Sequence, residues 1–219
     1  MQNLLTKQKY REIEKNIVQL LNFKGQDLVS QTSLRSPRAV GDAVQEFLTE
    51  NLNLCIPKGI VRQYEVGFQR RSMEDMAFYD TNDYYYAIDS KTHNKNTVFN
   101  MPNLISVKRL SNFYMNDKNV FNILIVEYEI GKNKIYYSNC HFNPIEQYSW
   151  DCLTLGALGW GQIQIANSNR LLFNQEASRK EWMIKMCEMM EVFYQEELGK
   201  IGERITWFHS VKNFWQNHP

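Results

Sequence analysis

Two acids and a lysine define the chemistry this sequence can perform. Asp75 heads one β-prone run, Asp75 to Tyr79, and Asp89-Ser90-Lys91 falls at the end of the next, which begins at Tyr84. Between them Asp80-Thr81-Asn82-Asp83 is turn chemistry, so the two runs predict a hairpin. If the turn is centred on Asn82, Asp75 and Asp89 face each other, because they are equidistant from that residue. Opposed β-carbons lie about 4.5–5.5 Å apart, where like charges destabilise a sheet. Strand alternation puts Lys91 on the face of Asp89, with His93 beyond it if the strand continues.

Two carboxylates and an ammonium at one spot have a use. The carboxylates can hold a hard divalent cation such as Mg²⁺, which relieves their repulsion. Such a cation lowers the pKa of a bound water and stabilises charge on a phosphate in transit. The lysine can orient or deprotonate the attacking water, or neutralise the phosphate as charge builds. A phosphodiester hydrolase needs this set. The plain alternative is a solvated ion pair, since Asp-x-Lys on a strand is common and such pairs contribute little. A one-residue slip of register would also send Asp75 to the other face.

Hydrophobic spacing predicts the scaffold around these residues. Residues 4–21 predict a helix, with Leu5, Ile13, Ile17, Leu20 and Leu21 near one face. A polar loop runs from Gln26 to Arg35. Ser36-Pro37 supplies an N-cap and a proline at the first helical position, and Val40, Val44, Phe47 and Leu48 carry the apolar stripe of a second helix. From Gly59 the pattern turns to strand, through Ile60, Tyr64, Val66 and Phe68. Residues 100–114 read as a helix with Leu104, Val107, Leu110 and Tyr114 on one side. Strands are predicted next at 121–130 and 134–138 about Gly131, then at 162–166 and 171–173 about the turn Asn167-Ser168-Asn169. The last helix opens with the capping box Ser178-Arg179-Lys180-Glu181 and is expected to stop at Gly199. The order predicts an α/β fold with a mixed central β-sheet flanked by helices.

Composition sets the outer bounds. The chain has 219 residues, 43% hydrophobic and 22% charged, which suits one domain with a buried core. Within it, N-terminal helices are expected over about 1–52 and a catalytic core over about 58–199. Lys and Arg number 25 against 24 Asp and Glu, so any basic patch is local. No apolar run nears the roughly 20 residues of a membrane helix, and the N-terminal residues lack the apolar block of a secretion signal. Cys55, Cys140, Cys152 and Cys187 are scattered, with no CxxC pair, which argues against structural zinc and a disulfide framework. A reducing cytoplasm is the expected location.

The block Asp75…Asp89-Ser90-Lys91 resembles the active-site motif of the PD-(D/E)XK nucleases, with Glu74 where the motif has proline. The adjoining run Lys91-Thr92-His93-Asn94, and then Met101-Pro102-Asn103-Leu104-Ile105-Ser106, is similar to a stretch of the type II restriction endonucleases of that superfamily. In those enzymes D-x-K-T-x-N precedes A-P-N-I-I-S at the same distance. Phe47-Leu48-x-Glu50-Asn51-Leu52 resembles an early helix of such enzymes. Gln162-Ile163-Gln164 and Arg179-Lys180-Glu181-Trp182 resemble a Q-I-Q strand and an R-E-E-W helix. The likeness runs in one order over about residues 40–185.

The resemblance implies a restriction-endonuclease-like core and an Mg²⁺-dependent homodimer. Such an enzyme cuts double-stranded DNA at a short palindromic site, leaves 5′-phosphates, and is paired in function with a cognate DNA methyltransferase. By the same resemblance Asp75 and Asp89 are metal ligands, the Ser90 carbonyl a further one, and Lys91 the catalytic lysine. Phe99, Asn100 and Asn103 match a loop that touches the minor groove and disturbs stacking. Gln162 and Gln164 match a DNA-facing strand. Leu155 to Gly161 depart from the family's sequence-reading positions, so no cut site carries over. The second helix often supplies an acid to a second metal in this superfamily. Asp42, Gln45 and Glu46 are candidates here, and the matching position can equally be Gly41.

Charge placement points the same way. From Ser90 to Asn116 there is no Asp or Glu, while Lys91, Lys95, Lys108 and Arg109 are present with six asparagines, among them Asn96 and Asn100. Such a stretch suits phosphate contact, or a solvated helix face. Lys58, Arg62, Arg70 and Arg71 form a second basic cluster, open to DNA contact or to ordinary surface exposure. Two other functions fit the same residues. One is a repair or structure-specific nuclease on this core. The other is a sequence-specific DNA-binding protein whose acidic pair is structural.

Overall fold

The computed structural model describes residues 3–25, 28–30, 36–69, 72–131 and 134–218. Arg70 and Arg71 lie outside the described residues, as does most of the polar loop expected over 26–35.

Helices α1 (Lys7–Lys24) and α2 (Pro37–Asn51) come first. The apolar spacing of α1 buries Tyr10, Ile13, Ile17 and Leu21, while Leu5 is buried just ahead of the helix. In α2 the Ser36 hydroxyl accepts the Ala39 N–H, so the N-cap forms as the sequence predicts, and Val40, Val44 and Leu48 turn inward.

The strands β1 (Val61–Glu65), β2 (Met76–Asp80), β3 (Tyr85–Asn94), β5 (Asn119–Ile130) and β6 (Ile135–Pro144) form a mixed sheet in the order β1-β2-β3-β5-β6. β3 and β5 are parallel; the other neighbours are antiparallel. A parallel pair needs a crossover. It is made here by β4 (Asn103–Ser106) and α3 (Val107–Phe113), which leave β3 at one end and return the chain to β5 at the other.

The sheet separates two cores. On one face Met76, Phe78, Tyr86 and Ile88 pack with α1 and α2. On the other, Ala87, Phe121, Ile123 and Ile125 meet α3, a small second sheet β4-β8-β7 with β7 at Leu153–Gly156 and β8 at Gln162–Ile165, and the first turns of α4 (Arg179–Gln216). The architecture is therefore a mixed five-stranded sheet flanked by helices, as expected.

Three expectations about elements are corrected. Residues 100–114 are not one helix. Asn103 to Ser106 pair antiparallel with β8, and the helix begins only at Val107, capped by the Ser106 hydroxyl that accepts the Arg109 N–H. Leu104, Val107 and Leu110 mimic a helical stripe because a strand ending on the same core places its last apolar residue in line with the next helix. Residues 171–173 contribute a single bridge, Tyr148 to Phe173, rather than a strand. Finally α4 does not stop at Gly199 but continues through Gly199 and Gly202 to Gln216. Each glycine costs about 1 kcal/mol in a helix interior, too little to end a helix whose neighbours favour it.

Candidate active site

The hairpin forms in the expected register. Asp80 holds the turn: its Oδ1 accepts the N–H groups of Asn82 (2.8 Å) and Tyr84 (3.0 Å), and its Oδ2 accepts the Tyr86 hydroxyl (3.1 Å). Asp83 takes the left-handed conformation (φ 64°) that short polar residues tolerate. Tyr79 then faces Tyr85 and Met76 faces Ile88, the register of a turn centred on Asn82.

At Asp75 the ladder slips. Its N–H donates to the Ile88 carbonyl at 2.9 Å rather than pairing across to residue 89. Its carboxylate takes the place of backbone: Oδ2 accepts the Ser90 N–H at 2.7 Å, and Oδ1 accepts Gln45 Nε2 from α2 at 2.8 Å. The two acids are thus neighbours across the mouth of the hairpin, though not a directly opposed pair.

Asp89 is buried, and Lys91 Nζ donates to its Oδ1 at 2.5 Å. Its Oδ2 is buried with no hydrogen-bond partner among the described residues. Burial pushes this carboxyl up to about 7; Lys91 opposes the rise and Asp75 adds to it. Burial also raises Asp75, against the lowering effects of the Ser90 N–H and Lys91. A carboxylate with a bare, desolvated oxygen beside a second acid is short of a positive partner. Beside Asp89 opens a cavity of about 500 Å³, lined among others by Ser106, Lys108, Arg109, Trp160 and Gln162. Among the described residues no group of three or more His, Cys, Asp or Glu side chains converges, so the acids here are a pair.

The second sheet presents the polar wall of this cleft. Ile163 and Ile165 are buried, and the alternate residues Gln162 and Gln164 point the other way. Gln164 Nε2 donates to Asn103 Oδ1 at 2.5 Å across the β4–β8 pair. Lys108 Nζ sits 4.4 Å from the centre of the exposed Trp160 ring. Phe99 is 59% exposed and Val98 90%, so neither tucks under its loop. That loop is pinned from behind by Asn169, whose Nδ2 donates to the carbonyls of Thr97 (2.8 Å) and Val98 (3.1 Å). The Asn100 carbonyl accepts the Ser168 N–H at 2.8 Å.

Other candidates separate from the cluster. β3 runs through Asn94, so His93 lies on the face of Asp89 and Lys91 as alternation predicts, but it is buried and bonded to Asn169 Oδ1 at 2.9 Å, where it supports the loop. Lys95, exposed beside Asn96, pairs with Glu129 at 3.5 Å. Arg62 pairs with Asp83 and covers Tyr79, while Lys58 is exposed. On α2, Asp42 and Glu46 are exposed and Gly41 lies against Thr92, leaving Gln45 as the residue that reaches the cluster. Sequence spacing offers three α2 candidates and cannot choose among them. Nothing in the sequence marks Asn169 or Trp160.

No family model matches this chain, and no curated protein does. Among solved structures it is similar to the NlaIV restriction endonuclease, with a TM-score of 0.40 and 18% identity. The alignment covers 60% of this chain and 54% of that one, about half the neighbour's length.

Proposed function

We propose that this chain is a divalent-metal-dependent nuclease of duplex DNA and, within that class, a type II restriction endonuclease whose active-site block resembles that of HincII. The observation that carries the reading is Asp89: a buried acid with one oxygen on Lys91, the other unpartnered, and a cavity with a cationic and amide wall beside it.

The donors fit a hard cation. Asp75, Asp89 and the Ser90 carbonyl offer only oxygen, as Mg²⁺ requires, and the bare Asp89 oxygen lacks a partner that such an ion supplies. When bound, the ion would activate water and offset charge on the phosphate. The protein's own groups do the rest. Gln45 and the Ser90 N–H fix Asp75 in place. Lys91 offsets the negative charge that grows on the phosphate under attack. Lys108 and Arg109, exposed on α3, hold the DNA backbone, with Lys95 and Asn96 further along the strand end. Asn103, Gln162 and Gln164 present amides that can bond base edges, and Phe99 and Asn100 approach the duplex on their loop. One site per chain cuts one strand, so cutting both strands of a palindrome calls for a two-fold homodimer.

Digestion of a fully sequenced plasmid with Mg²⁺, followed by end mapping, tests the reading. Discrete fragments with 5′-phosphate ends, abolished by EDTA, are expected. A smear, or cutting confined to junctions and lesions, would favour a repair nuclease. Specific binding without any cutting would favour a DNA-binding protein.

A further inference from the structure

α4 outruns the domain it belongs to. Trp182, Met186 and Met190 seat its first turns on the core, and from Gln195 onward nearly every residue is exposed. At 1.5 Å per residue the free part is about 30 Å long. In proteins a helix draws most of its stability from packing of an apolar face, and Gly199 and Gly202 lower the propensity of this one. The free part is nevertheless apolar along one side. Leu198, Ile201, Ile205, Phe208 and Trp215 are each 45–67% exposed; Trp207 and Phe214, at 66% and 59%, lie on the helix's other side.

We infer that this outer half of α4 is a homodimer seam, covered by the same segment of a second copy of the chain. The spacing is that of a coiled coil. Tyr194, Leu198, Ile201, Ile205, Phe208, Lys212 and Trp215 alternate by four and three residues over three heptads. Lys212 is the single charge within the seam from Tyr194 to Trp215, and one such residue at a core position commonly sets register and partner number. Charge does not call for a different partner. Glu197 already pairs with Lys200 (2.8 Å) and Arg204 (3.7 Å) of its own helix, which leaves no strip of free cations for nucleic acid. Gly199, Glu203, Thr206 and Ser210 lie away from this stripe, and the two aromatics outside it, Trp207 and Phe214, do not follow the four-and-three spacing of the seam. An aromatic side chain buries about 150–250 Å², so two such stripes together approach the roughly 1,200–2,000 Å² of a stable interface. A second copy is the one partner certain to bring an equal stripe with an equal lack of cover, as an isologous contact requires. The pairing requires nothing of the cleft at Asp89: a dimer formed elsewhere would overturn the seam alone, a monomer would also remove the two-fold homodimer, and neither would touch metal-dependent cleavage at Asp89.

Sedimentation equilibrium of the full chain, without DNA or metal, tests this. A dimer at micromolar concentration is expected. Ile201→Asp and, separately, Phe208→Ser should each raise the dissociation constant by about 100-fold or more, with amide-exchange protection of β3 and β5 retained. Ser210→Asp, outside the seam, should leave the dimer intact. A wild-type monomer at about 100 µM, whether free or bound to phosphatidylglycerol vesicles, would overturn the seam. So would a dimer that both seam variants preserve, or one that Ser210→Asp dissociates equally.

Discussion

Two buried acids in this molecule have opposite fates. Glu146 lies under the N-terminus of α4, and both its oxygens are satisfied: Arg179 Nε donates to one at 2.9 Å and the Tyr114 hydroxyl to the other at 2.6 Å. Arg179 also bonds the Asp117 carbonyl and covers the Tyr114 ring. Asp89 is equally buried, at 7% exposure in both cases, but only one of its oxygens is bonded. The first cluster is closed and ties helix to sheet. The second is open, beside a cavity, and retains an unmet electrostatic demand that a bound cation would satisfy. Burial of charge alone does not distinguish the two; completeness of hydrogen bonding does.

Activity offers the largest contrast. Asp75→Asn and Asp89→Asn should each abolish Mg²⁺-dependent cleavage, measured on supercoiled plasmid. Glu146→Gln, assayed where it remains folded, should keep it. Loss of activity in all three alike would erase the distinction.

Stability should run the other way. Arg179→Ala strands Glu146 and should cost about 3 kcal/mol by urea unfolding. Asp89→Asn removes a buried charge that Lys91 satisfies on one oxygen alone, and should leave the metal-free protein as stable as wild type or more so. A large loss in Asp89→Asn would make that acid structural after all.

The pH dependence sharpens the point. A carboxyl raised to about 7 in the folded state holds its proton more tightly there than in the unfolded chain. Its effect on stability is therefore absent below the unfolded value of ~4 and grows unfavourable as pH climbs from there to about 7. Metal-free wild type should lose stability across that window, and Asp89→Asn should lose less. Parallel curves for the two proteins would contradict this.

The smallest effect is expected at Phe99. Because it is exposed, Phe99→Ala should leave the melting temperature nearly unchanged while altering DNA bending or step preference at the site centre. A drop of several degrees with unaltered specificity would place the ring in packing instead.

The features legible in the sequence are mostly local. The hairpin register comes from Asp80 and its turn, and the helix starts at Ser36 and Ser178 come from side chains that bond the next turn. Those that escape are decided at a distance. β4 is a strand because β8 lies beside it, and Asp75 leaves the ladder because Gln45 and Ser90 bond its carboxylate. The end of α4 is misplaced by its glycines because a glycine stops a helix only when nothing else sustains it. At the site, the acids and the lysine are visible as a pattern. The residues that hold them and their neighbouring loop, Gln45 and Asn169, are not, since amides on separate elements leave no periodic trace.

Lys91 offers the most direct measurement. It donates to the buried Asp89 from a partly buried place on β3, so cleavage by its variant is read beside circular dichroism and DNA affinity, which separate chemistry from folding. In Mg²⁺, Lys91→Ala should cut plasmid DNA on the order of 100-fold or more slowly than wild type while retaining its fold and most of its DNA affinity. Cleavage by that variant within a few-fold of wild type would contradict the assignment of this cluster as the active site.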